Sequence, residues 1–198
     1  MDQTNFNIHI SRNEGRSKRG TRCTTVAAGS RGSNVHIIGA ISNMGFIHHQ
    51  LKRGSFKKVN AIEWIKDCLR LSMSKHGGPV VLVLDNAPCH SNVEEHVLVG
   101  ELEACKILRL GPYSPMLNPI ENVWSVLKSS VKSKLSSQMA QILAPNSNNL
   151  TIKEHRLRML EIIVEEAIPS ITPDLCVSCI ASIQRRFSSA LSLEDMMF

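Results

Sequence analysis

Aromatic residues are scarce in this 198-residue chain: two Trp, one Tyr and five Phe, 4% in all. A hydrophobic core must therefore be built mainly from Ile, Leu, Val and Met. No apolar run approaches the ~18–20 residues needed to span a bilayer. The N-terminus is polar from Asp2 onward, so no secretory signal is read there. Internal repeats and extended low-complexity tracts are also missing. The six cysteines are scattered through apolar patterns, which suits free thiols in a reducing compartment better than a disulfide framework. Cys176-x-x-Cys179 lacks a second ligand pair at zinc spacing and reads as two buried helical cysteines.

What is present is an ordinary globular composition, 42% apolar, with a net charge of +6. A basic surplus is compatible with a polyanionic partner, but its distribution says more than its total. Arg12, Arg16, Lys18, Arg19 and Arg22 crowd into one glycine-containing stretch, read as a basic loop or hairpin tip. Strands are expected over 2–10, 23–28, 35–41 and 46–51, an antiparallel meander. The period then changes. Ile62, Ile65, Leu69 and Met73 recur at helical spacing, with Asn60 as cap and Gly77-Gly78 as stop. Val80 to Leu84 is a continuous apolar run that suits a strand buried on both faces. A helix from Ser91 to about Cys105 and a short strand at 107–110 follow. Asn118, Pro119 and Glu121 open a third helix, whose core stripe is Ile120, Val123, Trp124, Leu127, Val131 and Leu135. After a polar linker over 144–150, helices are expected at 151–167 and 173–190. The order describes an α/β domain with a mixed sheet and helices on both faces.

Three carboxylates draw attention, each with a bland alternative. Asp85 ends the apolar strand, where functional groups of open α/β sheets gather; a local turn with Asn86 would also explain it. Glu121 stands three residues past Asn118, as a capping-box carboxylate does. Asp2 alone reads as a solvated terminal residue. Together they make a different pattern. If the first strand neighbours the apolar one, Asp2 lies beside Asp85, and the third helix brings Glu121 from one side. Three carboxylates form a hard-oxygen site for Mg²⁺ or Mn²⁺. Two such ions ~3.5–4 Å apart activate a nucleophile and stabilise the leaving oxygen of a phosphodiester. Lys128 and Lys132 share the face of Glu121 and can extend a phosphate track, or simply form a solvated face.

Three stretches carry a family resemblance. They are Asp2-Gln3-Thr4-Asn5-Phe6-Asn7 with the basic segment after it, Leu82 to His90, and Pro112 to Lys128 with its Asn118-Pro119-Ile120-Glu121-Asn122-Val123-Trp124 core. They resemble the mariner superfamily of DNA transposases, within the ribonuclease H-like group that includes retroviral integrases. The resemblance implies a ribonuclease H-like mixed five-stranded sheet over 1–143, with a C-terminal helical extension over 151–198. It implies that Asp2, Asp85 and Glu121 are catalytic and hold Mg²⁺ or Mn²⁺ in a two-metal site. Asn86, His90 and Asn118 are expected to support those ligands or to contact substrate. Arg12, Arg16, Lys18, Arg19, Arg22, Lys128 and Lys132 are expected to contact DNA. The implied partners are transposon ends and target DNA, with a homodimer as the assembly, in the nucleus or in both nucleus and cytoplasm. Two departures are visible. Gln3 stands where relatives usually carry Glu, and neither helix-turn-helix modules nor a leading half of the first strand precedes Asp2. The chain is therefore expected to be a shortened catalytic domain. The alternative is an inactive or domesticated descendant that binds DNA or a partner protein.

Overall fold

The structure, a computed structural model, describes residues 1–10, 16–24, 33–112, 114–144 and 150–192, with backbone alone at 188–190. Among them are five strands: β1 (Asp2–Phe6), β2 (Val35–Ser42), β3 (Gly45–Arg53), β4 (Val81–Leu84) and β5 (Lys106–Arg109). The helices are α1 (Lys58–His76), α2 (Glu94–Val97), α3 (Pro119–Leu143), α4 (Ile152–Ala167) and α5 (Pro173–Leu191). No helix among the described residues is long and apolar enough to cross a membrane.

β1, β2 and β3 form an antiparallel ladder in that order, with Asp2 opposite Gly39 and Phe6 opposite Val35. β4 and β5 form a parallel pair. The five strands are thus hydrogen-bonded as three and two. Their link is the Met1 nitrogen, which donates to the Val83 carbonyl at 2.5 Å. That contact comes from the residue just before β1, and so the five expected strands are present but do not form one continuous ladder.

Alternation along β2 explains why helices cover both faces. Val35 and Ile37 join one core, whereas Ile38 and Ala40 join the other. The first core is closed by α3, α4 and α5: Ile120, Val123, Trp124, Leu127, Val131 and Leu135 are all buried, the stripe that the helical spacing predicts. The second is closed by α1 through Trp64, Ile65, Cys68 and Leu69. Leu82 and Leu84 face that core, but Val81 is 58% exposed, so β4 is covered on one face rather than two.

Local chemistry sets the boundaries. α1 starts at Lys58, and Asn60 sits inside its first turn, where its Oδ1 accepts from the Lys57 N–H at 3.5 Å and from Lys52 Nζ. Gly77 ends the helix in the left-handed conformation (φ 76°) and donates to the Met73 carbonyl at 2.8 Å. The expected helix over 91–105 is only α2 and one short 3₁₀ turn at Gly100–Leu102. Asn92 at φ 52° and Gly100 at φ 60° interrupt it, while Val93, Val97 and Leu102 bury as anchors of a folded loop. The strand expected at 23–28 and the linker at 144–150 fall almost wholly outside the described residues. α4 is capped by Thr151, whose hydroxyl accepts from the Glu154 N–H at 3.2 Å. Arg53 at the end of β3 ties down α4 by forked bonds to Glu161 at 2.6 and 2.7 Å and bonds to Glu154 at 3.0 Å. Cys176 and Cys179 are free thiols in the core of α5, as the pattern suggested, and burial pushes Cys176 up to about 11.

Candidate active site

Asp85 leaves β4 into a loop that is locked on all sides. Its Oδ1 accepts from the Ala87 N–H at 3.2 Å and from His90 Nδ1 at 2.7 Å. His90 is fully buried, and its N–H donates to the Ala87 carbonyl at 2.8 Å. Arg109, at the end of β5, donates to the His90 carbonyl at 2.5 Å while its guanidinium grips Glu94 at 2.6 and 2.9 Å. Asn86 Nδ2 donates to the Leu110 carbonyl at 2.6 Å, joining the ends of the two parallel strands. Asn86 and His90 therefore support the Asp85 loop. Arg109 and Glu94 do so as well and were not anticipated, although Arg109 obeys the same strand-end rule that singled out Asp85.

Glu121 projects from the first turn of α3 at the solvent rim. Asn118 caps α3 by position and is buried, but its side chain makes no capping bond. The capping-box explanation of Glu121 is not realised, and no described residue donates to its carboxylate. Asp85, Asn86, Asn118 and Glu121 line one cleft of about 420 Å³, together with Leu110 and Pro112.

Asp2 is buried and is not among the residues that line this cleft. Its Oδ2 accepts from the Trp124 indole N–H at 2.9 Å. Next to it, the Gln3 side-chain amide lies 3.3 Å from Cys89 Sγ and 3.2 Å from His90 Nε2. It can offer its NH₂ to a neutral ring or its oxygen to a charged one. Trp124 was legible only as a core residue, yet its position one turn after Glu121 placed it on the same side of the helix.

The three carboxyls feel one another. Burial raises Asp2 above the ordinary carboxylate range, and the Asp85 charge adds to that rise. Partial desolvation raises Glu121, followed by the charges of Asp2 and Asp85, while Lys128 opposes them. The hydrogen bond from His90 holds Asp85 below its ordinary value. Burial works against charge on His90, but Asp85 and Cys89 outweigh it and push His90 up to about 9. The pair's contribution to stability is thus fully present below His90's ordinary 6.5 and fades as pH rises through about 9. At the acid end it fades as Asp85 protonates, below the ordinary 3.8. Thermal melts in chelator check this: the stability gap between wild type and His90→Gln should shrink from pH 6.5 to beyond 9.

Arg16, Lys18, Arg19 and Arg22 are exposed and form no ion pair among the described residues; Arg12 lies outside them. Lys128 and Lys132 are half-buried on α3. The donor set is three carboxylates, all hard oxygen, which fits Mg²⁺ or Mn²⁺ in chemistry. Among the described residues no three His, Cys, Asp or Glu are gathered tightly enough to hold an ion.

The chain is a mixed α/β domain with Asp85 and Glu121 lining a cleft where β4 and α3 meet the surface. The pattern of the DDE superfamily endonucleases matches residues 1–143, and the chain belongs to that family. Solved structures agree on the fold. The chain is similar to the Mos1 transposase in a paired-end complex with the left transposon end, at 18% identity and a TM-score of 0.54, covering 92% of this chain and 54% of that one. It is likewise similar to the mariner Mos1 paired-end complex with Mg, at 19% identity and 0.51, covering 91% and 54%. The chain thus spans about half the length of these relatives. A search of curated proteins finds no significant match.

Proposed function

We propose that this chain is the catalytic domain of a metal-dependent DNA transposase, which nicks transposon ends and joins the freed 3′-hydroxyl to target DNA. One observation carries the reading: Asp85, at the end of β4, and Glu121, in the first turn of α3, are 36 residues apart in sequence yet line the same cleft. Mg²⁺ or Mn²⁺, when bound by Asp2, Asp85 and Glu121, would supply Lewis-acid activation of the attacking oxygen and charge neutralisation of the leaving one. The chain's own residues do the rest. The Asp85 loop, fastened by His90, Asn86 and Arg109, keeps one carboxylate in place at the cleft. Glu121, free of any capping bond, lines the same cleft. Lys128, whose charge already acts on Glu121, is placed to meet a phosphate next to it. Arg12, Arg16, Lys18, Arg19 and Arg22 would hold the DNA backbone further out.

The reading is supported by family membership and by likeness to transposase structures that hold a transposon end, Mg or Mn. It assigns DNA as partner, a homodimer as assembly and the nucleus as location. The test is a nicking assay on supercoiled plasmid with Mg²⁺ or Mn²⁺ titrated in. Nicking should require the ion, and Asp85→Asn should lose it by more than about 100-fold, beyond what removing an outer hydrogen-bond partner of a ligand costs. A wild-type chain that binds DNA but never nicks would favour the non-catalytic descendant instead. Lys128→Ala should weaken DNA binding for all sequences alike and reduce the slope of log K against log salt by about 0.9, measured by fluorescence anisotropy.

A further inference from the structure

Trp124 is one of two tryptophans and the only buried indole with an acceptor in the carboxylate cluster. Its N–H donates to Asp2 Oδ2 at 2.9 Å, inside the protein. Three features show that this bond is built in. First, Asp2 pairs with Gly39 on β2, and the indole lies directly over that glycine: a Cβ there would stand 2.8 Å from Trp124 Cη2 and 2.7 Å from Phe46 Cε1. Only a residue with no side chain admits the ring. Second, Phe46 braces the ring from the side, with centroids 5.8 Å apart. Third, burial does not by itself bring an indole an acceptor in this fold, because Trp64 Nε1 is also enclosed and has no hydrogen-bond partner among the described residues.

Trp124 also sits three residues after Glu121 on the same long helix, so one rigid element touches the first carboxylate and carries the third. Its neighbours Val123 and Leu127 are buried in the core, which leaves α3 little freedom to slide. A hydrogen bond to one oxygen of Asp2 leaves the other oxygen's lone pairs unclaimed by the indole.

We propose that Trp124 is a positioning residue for the cation site: its indole N–H fixes the Asp2 carboxylate relative to Glu121. The proposal rests on the reading of the three carboxylates as a divalent-cation site. Trp124→Phe keeps a ring in the core and removes only the donor and one ring's worth of bulk. Calorimetric titration of the full chain should show Mn²⁺ binding weakened about 10–100-fold in Trp124→Phe, the usual loss when a ligand's hydrogen-bond partner is removed. A second measurement needs no substitution at 124. The chain labelled with 5-fluorotryptophan gives two fluorine resonances, assigned with Trp64→Phe. Mg²⁺ should shift the Trp124 resonance saturably, leave that of Trp64 in place, and lose its effect on Trp124 in the Asp85→Asn chain. A merely space-filling Trp124 predicts Mn²⁺ affinity unchanged in Trp124→Phe and a resonance indifferent to Mg²⁺ in a wild-type chain that binds it; either result overturns the proposal alone. A wild-type chain that binds neither ion overturns the cation site and the proposal with it.

Discussion

Asp2→Asn is expected to abolish metal-dependent cleavage and, in the same protein, to raise the melting temperature. The first half follows from the loss of an anionic oxygen ligand in a three-carboxylate set. The second follows from burial. Asp2 is 7% exposed, and its carboxyl is raised above the ordinary range chiefly because burial disfavours the ion. A raised carboxyl pKa means that the folded state binds a proton more readily than the unfolded chain. At neutral pH the ionised group therefore subtracts from stability, and the penalty disappears as pH falls through the raised value. Asparagine is neutral, nearly isosteric, and keeps an oxygen to accept from the Trp124 N–H. For a chain of this length each kcal/mol relieved is worth about 2–4 °C. Melts in chelator should place Asp2→Asn above wild type at pH 7, with the gap closing on acidification. An Asp2→Asn chain that melts lower, or a gap that grows in acid, would show that the buried carboxylate is stabilising rather than held against its preference. This is the pattern expected where function retains a group that folding alone would discard.

Gly39→Ala should both destabilise the chain and cripple the site. The added methyl would stand under 3 Å from two aromatic rings, the partly buried Phe46 and the fully buried Trp124, and Trp124 has no room to swing away. Overpacking of this kind costs about 1–3 kcal/mol, a fall of several degrees at about 2–4 °C per kcal/mol. The damage is also directed. Displacing Trp124 pulls its N–H from Asp2, so metal affinity should fall by more than the stability loss explains. Gly78→Ala is the control, because a methyl there meets nothing within 4 Å. Equal melting temperatures and equal Mn²⁺ affinities for the two alanine variants would refute the close packing on which the argument stands.

Much of this architecture was legible because it is written in local period. The stripe of α3 and the Gly77 stop each follow from spacing within a few residues. The candidate carboxylates were legible by motif and by strand-end position. What escaped is long-range or depends on burial. The Trp124 to Asp2 bond joins residues 122 apart, and nothing in either neighbourhood announces it. Arg109 reads as one more basic residue until β5 sets it beside the carbonyl of His90. The stretch 91–105 carries apolar residues at near-helical spacing, but Asn92 and Gly100 take positive φ, and the same side chains anchor a loop instead. β4 reads as buried on both faces because its run is wholly apolar, yet α1 covers only one.

The most direct measurement is a calorimetric Mn²⁺ titration of the wild-type chain beside Asp2→Asn, Asp85→Asn and Glu121→Gln, each confirmed to be folded by its melting curve. If the three carboxylates share a cation, wild type binds and every single variant loses most of its affinity. A wild-type chain that takes up no ion, or any one variant that binds as tightly as wild type, would contradict a shared site.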